Sequence, residues 1–235
     1  MTALFSSREF LAATGGDFAG PVADGDFELY TDSREEGRGR CFVALRGEKF
    51  DAHDFLAKAV ESGAGMLLIE RAKQVLADPA WPVPVLAVDD TLLAYQALAR
   101  FHRRRFPDLR LAAVTGSVGK TSTKEMLRAI FSAEAGPDQV LYTLGNTNNQ
   151  IGVAQNLLRL TLQHRYAVIE MGTNHHGEIE PLSRMAEPQC AAVNSIAPCH
   201  LEFLGSLAGV AEEKGHIFDG LAAGGCAVIP AQCDA

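Results

Sequence analysis

Four apolar runs of strand length, separated by helical or loop-like stretches, constrain the second half of this chain more than any other feature. They are "LAAV" (111–114), "YAVIEM" (166–171), "CAAVNSI" (190–196) and "CAVIP" (226–230). Runs so short and so continuously apolar suit strands buried on both faces. After the first, "TSTKEMLRAIF" places Met126, Leu127, Ile130 and Phe131 on one helical face. Strands alternating with helices imply a parallel sheet joined by right-handed crossovers. The sequence stops just after the fourth run, before a closing helix, so a fragment of a longer protein is expected.

Residues 1–86 read as a smaller α/β domain. "CFVALRG" and "GMLLIE" are strand-like, and Phe55, Leu56, Ala59 and Val60 recur between them at helical spacing. "DPAWPVPV" (78–85) cannot be a helix interior and is expected to connect two domains. Asp90 then caps a helix that carries Leu93, Ala97, Leu98 and Phe101 and ends in Arg103, Arg104 and Arg105. The expected fold class is α/β: a small domain over 1–86, then an incomplete P-loop parallel-sheet domain over 87–235.

Composition narrows the function. With 47% hydrophobic and 21% charged residues, the chain can bury a core and remain soluble. No run approaches the ~20 apolar residues of a membrane helix, and "MTALFSSREFLAATGG" lacks the order of a signal peptide. A cytoplasmic protein with no membrane span is expected. The net charge of −8 has the wrong sign for a non-specific nucleic-acid binder, and the arginine cluster reads as solvated cations at a helix C-terminus. Five cysteines without a C-x-x-C pair argue against a disulfide framework or a structural zinc site.

Ligands of open parallel sheets sit beyond the carboxyl ends of the strands, and three strands here end in reactive residues. "TGSVGKTSTKE" (115–125) follows "LAAV". The usual phosphate loop, G-x-x-x-x-G-K-[ST], would need glycine where Val114 stands. Gly116 and Gly119 still allow backbone N–H groups to approach phosphate, and the next helix points its positive end there. Lys120 suits β/γ-phosphate charge, Thr121 a Mg²⁺ ion, and Glu170, after "YAVI", the same ion. His200 follows the third strand. His175 and His176 read as loop residues, His216 as solvated, and Cys199 as a packed free thiol. Lys214 shares a helical stripe with Leu207, Val210, Ala211, Ile217, Phe218 and Leu221, while Glu212 and Glu213 project elsewhere. An inward lysine tends to lose its charge, and a neutral amine can capture carbon dioxide as a carbamate.

"TGSVGKTSTKE" resembles the shortened phosphate loop of the Mur ligase superfamily, the ATP-dependent amide-forming enzymes of bacterial wall synthesis. "GNTNNQIGV" (145–153), "VIEMGTNHHGEI" (168–179) and "HLEFLGSLAGVAEEKGHIFDGL" (200–221) resemble the branch that adds D-alanyl-D-alanine. "DSREEGRGRCFVALRGEKFDAHDF" (32–55) is similar to the domain that holds the UDP-sugar end of its substrate. Ala154 stands where the family often has proline and Thr173 where alanine is expected, and the family's third domain is absent.

The resemblance implies a ligase that joins D-Ala-D-Ala to UDP-MurNAc-tripeptide through an acyl phosphate, with ATP and Mg²⁺. It implies nucleotide contacts at Gly116, Ser117, Gly119, Lys120, Thr121 and Ser122, and metal ligands at Thr121, Glu170, His200 and a carbamylated Lys214. Catalytic roles fall to Lys120, His200 and Lys214. Substrate contacts fall to Ser33, Arg34, Arg46, His53, Asn148, Asn149 and Asn174. A monomer is expected, inactive without its missing domain. The competing readings are a non-catalytic fragment that binds the UDP substrate, a P-loop phosphotransferase, and another ligase such as folylpolyglutamate synthetase.

Overall fold

The computed structural model describes residues 3–231 apart from 21, 23, 48 and 49. The chain forms two compact units, one running through Phe101 and the other from His102.

The first unit is built on a six-stranded sheet of order β1-β3-β4-β5-β6-β2. Its edge strands β1 (Leu4–Ser6) and β2 (Asp17–Phe18) are antiparallel to their neighbours and flank α1 (Ser7–Thr14) in sequence. The parallel centre comprises β3 (Asp26–Tyr30), β4 (Cys41–Val43), β5 (Met66–Glu70) and β6 (Val85–Val88). Helix α2 (Leu56–Glu61) joins β4 to β5, and α3 (Thr91–Arg103) follows β6. The proline run therefore leads into β6 within this sheet and does not separate domains. The unit also extends past residue 86. The Thr91 hydroxyl at the start of α3 donates to the Ala44 carbonyl at 2.8 Å, which ties that helix to the strand region before it.

The core of this unit gathers Tyr30, Phe42, Leu56, Leu67 and Ile69. Phe42 is fully buried, with its ring centroid 5.2 Å from that of Tyr30. Phe42→Ala is expected to destabilise the protein by about 3–5 kcal/mol, read as a lower urea midpoint of the first unit's transition.

The second unit has a five-stranded, wholly parallel sheet of order β11-β10-β7-β9-β8. In chain order its elements are β7 (Arg110–Thr115), α4 (Lys120–Ala135), β8 (Val140–Tyr142), α5 (Gln150–Leu157), β9 (Tyr166–Glu170) and α6 (Ile179–Ala186). Then follow β10 (Cys190–Val193), α7 (Leu201–Leu204), α8 (Leu207–Gly215) and β11 (Cys226–Val228). All four expected strands are present, although the fourth, β11, is exposed along its length and not buried as expected. β8, at three residues, is an addition. β7 lies between β9 and β10, so the three chemically marked strand ends are indeed neighbours.

Two expectations need correction here. On α4, Met126 and Ile130 are 64% and 61% exposed. The inward stripe is instead Lys124, Leu127 and Phe131, at i, i+3 and i+7, with Phe131 stacked on Tyr166 at 4.6 Å. Lysine can hold that place because its ammonium donates to the Thr143 carbonyl at 3.2 Å and pairs with Glu125. The arginine cluster is not simply solvated either. Arg103 is buried and donates to the carbonyls of Ala186, Glu187 and Phe106. Those of Ala186 and Glu187 are acceptors that a helix end leaves unpaired. Arg104 forms an ion pair with Glu187.

Candidate active site

The site is built where β7, β9 and β10 end. After Thr115 the chain turns through Gly116 (φ 153°) and Gly119 (φ 82°), conformations that side chains other than glycine rarely adopt. At Gly116 space is also lacking, since a Cβ would lie 3.0 Å from Asn194 Cβ and 3.1 Å from Ser195 N. The loop is laced to the segment following β10. Ser117 N donates to Ser195 O at 2.9 Å, Val118 N to Ser195 Oγ at 3.1 Å, and Asn194 Nδ2 to Thr123 Oγ1 at 2.9 Å. The Ser117 hydroxyl donates to Ala197 O and receives the Cys199 thiol. That thiol is therefore packed against the loop, and Ser117 serves loop structure first. Ser122 lies exposed in the first turn of α4.

Lys120 opens α4 and its Nζ donates to Gly116 O at 2.8 Å, which sets the ammonium over the loop. One residue on, the Thr121 hydroxyl donates to Glu170 Oε2 at 3.0 Å. Glu170 is only 1% exposed. Its second oxygen receives Asn148 Nδ2 at 2.9 Å, and its own N–H donates to Thr143 Oγ1. Thr121 and Glu170, which the sequence placed together, thus meet, and Asn148, read as a substrate contact, joins them. Asn149 does not join them, because its side chain caps α5 by accepting Gly152 N at 2.8 Å. Behind this group Asn156 is buried and bonds Leu144, Thr147 and Gly152, a support that sequence reasoning missed.

His200 is exposed and takes a left-handed conformation (φ 50°) at the start of α7. Lys214, on α8, is 2% exposed. Among the described residues it has neither a hydrogen bond nor an ion pair from its ammonium. Burial pushes its pKa below the usual lysine range against the attraction of Cys199, and the charge of Lys120 adds to the depression. Glu213 projects away from the Lys214 stripe as expected, but into the protein. It is 1% exposed and accepts the N–H groups of Gly177, Glu178 and Ile179, which lead into α6. Asn174 presents an exposed side chain from this loop, its backbone N–H held by Glu178 at 2.7 Å. His216 pairs with Asp219 at 2.7 Å, which raises its pKa.

In the first unit Ser33 and Arg34 follow β3, and Arg46 follows β4, on the carboxyl side of parallel strands. The Arg34 guanidinium pairs with Asp32, and Arg46 lies 3.7 Å from both Asp51 and Glu70. His53 is not presented as a direct contact. Its ring is buried, its Nε2 accepts Glu70 N, and its Nδ1 donates to Asp51 at 2.6 Å. It orients Asp51 from behind. Cys41, Cys190, Cys199 and Cys226 are free thiols, and Cys233 lies outside the described residues.

Asp51 makes the first unit acid-sensitive. Burial alone would raise its carboxyl, but hydrogen bonds from His53 and Lys73 outweigh that and hold it at about 2. A folded pKa below the ordinary 3.8 means the contribution is present above about pH 4 and is lost as pH falls toward 2. Asp51→Asn should therefore lower the urea midpoint at about pH 6 more than at about pH 2.5.

The architecture and sequence both have relatives. The family description Mur ligase middle domain matches residues 114–235. The UDP-N-acetylmuramoyl-tripeptide–D-alanyl-D-alanine ligase of Escherichia coli is 50% identical over 201 residues, covering 86% of this chain and 42% of that protein. The ligase of the same name from Bacillus subtilis is 39% identical over 191 residues, 81% of this chain and 40% of its own length. A crystal structure of MurF from Acinetobacter baumannii superposes with a TM-score of 0.91 at 36% identity, covering 99% of this chain and 50% of that one. MurF ligase from Thermotoga maritima, solved in complex with ADP, gives 0.77 at 29% identity over 86% of this chain and 45% of its own. The chain thus spans half or less of the length of these relatives.

Proposed function

This chain belongs to the Mur ligase family, and on that premise we propose that it forms the UDP-substrate and ATP-binding portion of a ligase joining D-alanyl-D-alanine to UDP-MurNAc-tripeptide. The observation that carries this reading is the contact between Thr121 and Glu170 beneath a glycine-shaped loop. A hydroxyl and a carboxylate, both hard oxygen donors, meet there beside a lysine, which fits a magnesium-bound triphosphate. The likeness to MurF across 99% of the chain, first unit included, favours this reading over a P-loop protein without a UDP-sugar domain.

In this reaction the terminal carboxylate of the tripeptide attacks the γ-phosphate of ATP, the bond to the β-phosphate breaks, and an acyl phosphate and ADP result. The amine of D-Ala-D-Ala then attacks the acyl carbon, and phosphate leaves. Both steps need positioning and charge neutralisation more than covalent help from the protein. The N–H groups at Gly119 and the positive end of α4 receive the phosphates, those of Ser117 and Val118 being held by Ser195, and Lys120 neutralises β/γ charge. Thr121 and Glu170 would hold one Mg²⁺, and His200 with a carbamylated Lys214 a second; bound magnesium supplies charge shielding between the two anions. Asn148 keeps Glu170 oriented, and Asn174 faces the substrate. In the first unit Ser33, Arg34 and Arg46 bind the UDP end, with His53 acting through Asp51. A cytoplasmic monomer completes the reading, and no helix of the described residues is long and apolar enough to cross a membrane.

Calorimetric titration tests the assignment. UDP-MurNAc-tripeptide is expected to bind more tightly than UDP-GlcNAc, and ATP with magnesium to bind independently of either. Equal affinity for the two UDP compounds would remove the tripeptide from the reading. Lys214→Ala, in a polypeptide that also carries the C-terminal half found in the relatives, should lower amide formation by about 10²–10³-fold. A short carboxylic acid that replaces the lost anion should restore part of it. Near-normal turnover would refute the role of Lys214.

A further inference from the structure

We propose that Glu213 is a positioning residue of the ligase reaction: its buried carboxylate clamps the 173–179 loop onto α8 and so fixes Lys214, the next residue of that helix. The inference rests on the role given to Lys214 above.

Three backbone donors converge on this one side chain. Gly177 N reaches Oε2 at 2.7 Å, while Glu178 N and Ile179 N reach Oε1 at 3.0 and 2.9 Å. These groups form the entry to α6, where orphan N–H groups and the helix dipole favour an anion. A second carboxylate holds the other half of the loop. Glu178 accepts Asn174 N at 2.7 Å and His175 N at 3.2 Å. The Thr173 hydroxyl lies between the two carboxylates, 3.0 Å from Glu178 Oε2 and 3.4 Å from Glu213 Oε1. The stretch leading from Glu170 into α6 is thereby fixed to α8 through buried and half-buried charge-assisted bonds, which are stronger than neutral ones.

Successive residues of a helix point about 100° apart. Glu213 is therefore directed at α6 while Lys214 takes another direction, within electrostatic reach of Lys120 and of the Cys199 thiol. Cys199 itself touches Ser117 of the phosphate loop. One turn of α8 thus links the loop beyond Glu170 to the neighbourhood of the phosphate loop. A shift of Glu213 would carry Lys214 with it. Glutamine is a poor substitute, because its amide NH₂ would present a donor to donors. Aspartate keeps the charge on a shorter stem.

The test compares Glu213→Gln and Glu213→Asp with the parent in a polypeptide carrying the C-terminal half found in the relatives. Glu213→Gln is expected to lower kcat by about 10–100-fold, with KM for ATP and UDP-MurNAc-tripeptide unchanged within about twofold. Glu213→Asp should recover part of kcat. The ¹³C signal of a carbamate on Lys214, formed from labelled bicarbonate, should weaken in the glutamine variant and return in the aspartate variant. A folded Glu213→Gln protein with a lowered melting temperature but unchanged kcat and carbamate signal would reduce Glu213 to a helix cap and overturn the proposal. Absence of amide product from the parent would instead defeat the functional reading. The carbamate comparison would still decide whether Glu213 positions Lys214.

Discussion

The second unit depends on one buried anion. Glu170 ends β9 with almost no exposure to water, and an ionised carboxylate so placed costs several kcal/mol unless it is paired and hydrogen-bonded. Thr121 and Asn148 each satisfy one oxygen, and Thr143 receives the backbone N–H. These partners come from the first turn of α4, the loop before α5 and the end of β8. Satisfying this one residue, side chain and backbone together, therefore sets the relative positions of three chain segments at the sheet edge. Oxygens and hydroxyl held in this way need little reorganisation to receive a cation.

The sequence made the sheet legible because β7 and β9 are buried on both faces, and they and the segments of β10 and β11 read as continuous apolar runs. β8 escaped notice because "VLY" is too short to carry a period. The proline run misled for a different reason: proline excludes helix but does not distinguish an interdomain linker from a loop that enters a strand. In the site, Glu170 and Lys120 were visible because strand ends and a glycine loop announce them. Lys214 was visible because a lysine interrupted an apolar stripe.

Other polar residues hid because their partners are distant in sequence. Glu213 answers N–H groups more than thirty positions away, and Arg103 answers carbonyls more than eighty away. Periodicity cannot express such pairings, so Arg103 read as a solvated charge and Glu213 only as a residue off the Lys214 stripe. Lys124 shows the same limit on a single helix. A stripe drawn from apolar residues alone chose Met126 and Ile130, whereas the buried stripe contains a lysine with a carbonyl waiting for it. His53 was read as a contact to the UDP substrate, but it has no surface left to meet a ligand once Asp51 and Glu70 have taken its nitrogens.

Three lysines of the second unit illustrate how surroundings assign roles to one residue type. The chain carries a net charge of −8, yet net charge says little about a concave site whose fields are local. Lys124 is buried with a carbonyl and a carboxylate, so its charge is compensated and its work is structural. Lys120 rests on the carbonyl of its own phosphate loop, a neutral partner that an anionic phosphate can outbid. Lys214 is as buried as Lys124 but has no such partner for its ammonium among the described residues. An unpaired buried cation is the costliest of the three states, and it is relieved by losing the proton or by gaining chemistry that changes its sign. Conversion of the amine to a carbamate does both. Under the proposed function, the resulting anion would stand in the field of Lys120, whose repulsion of the ammonium would become attraction.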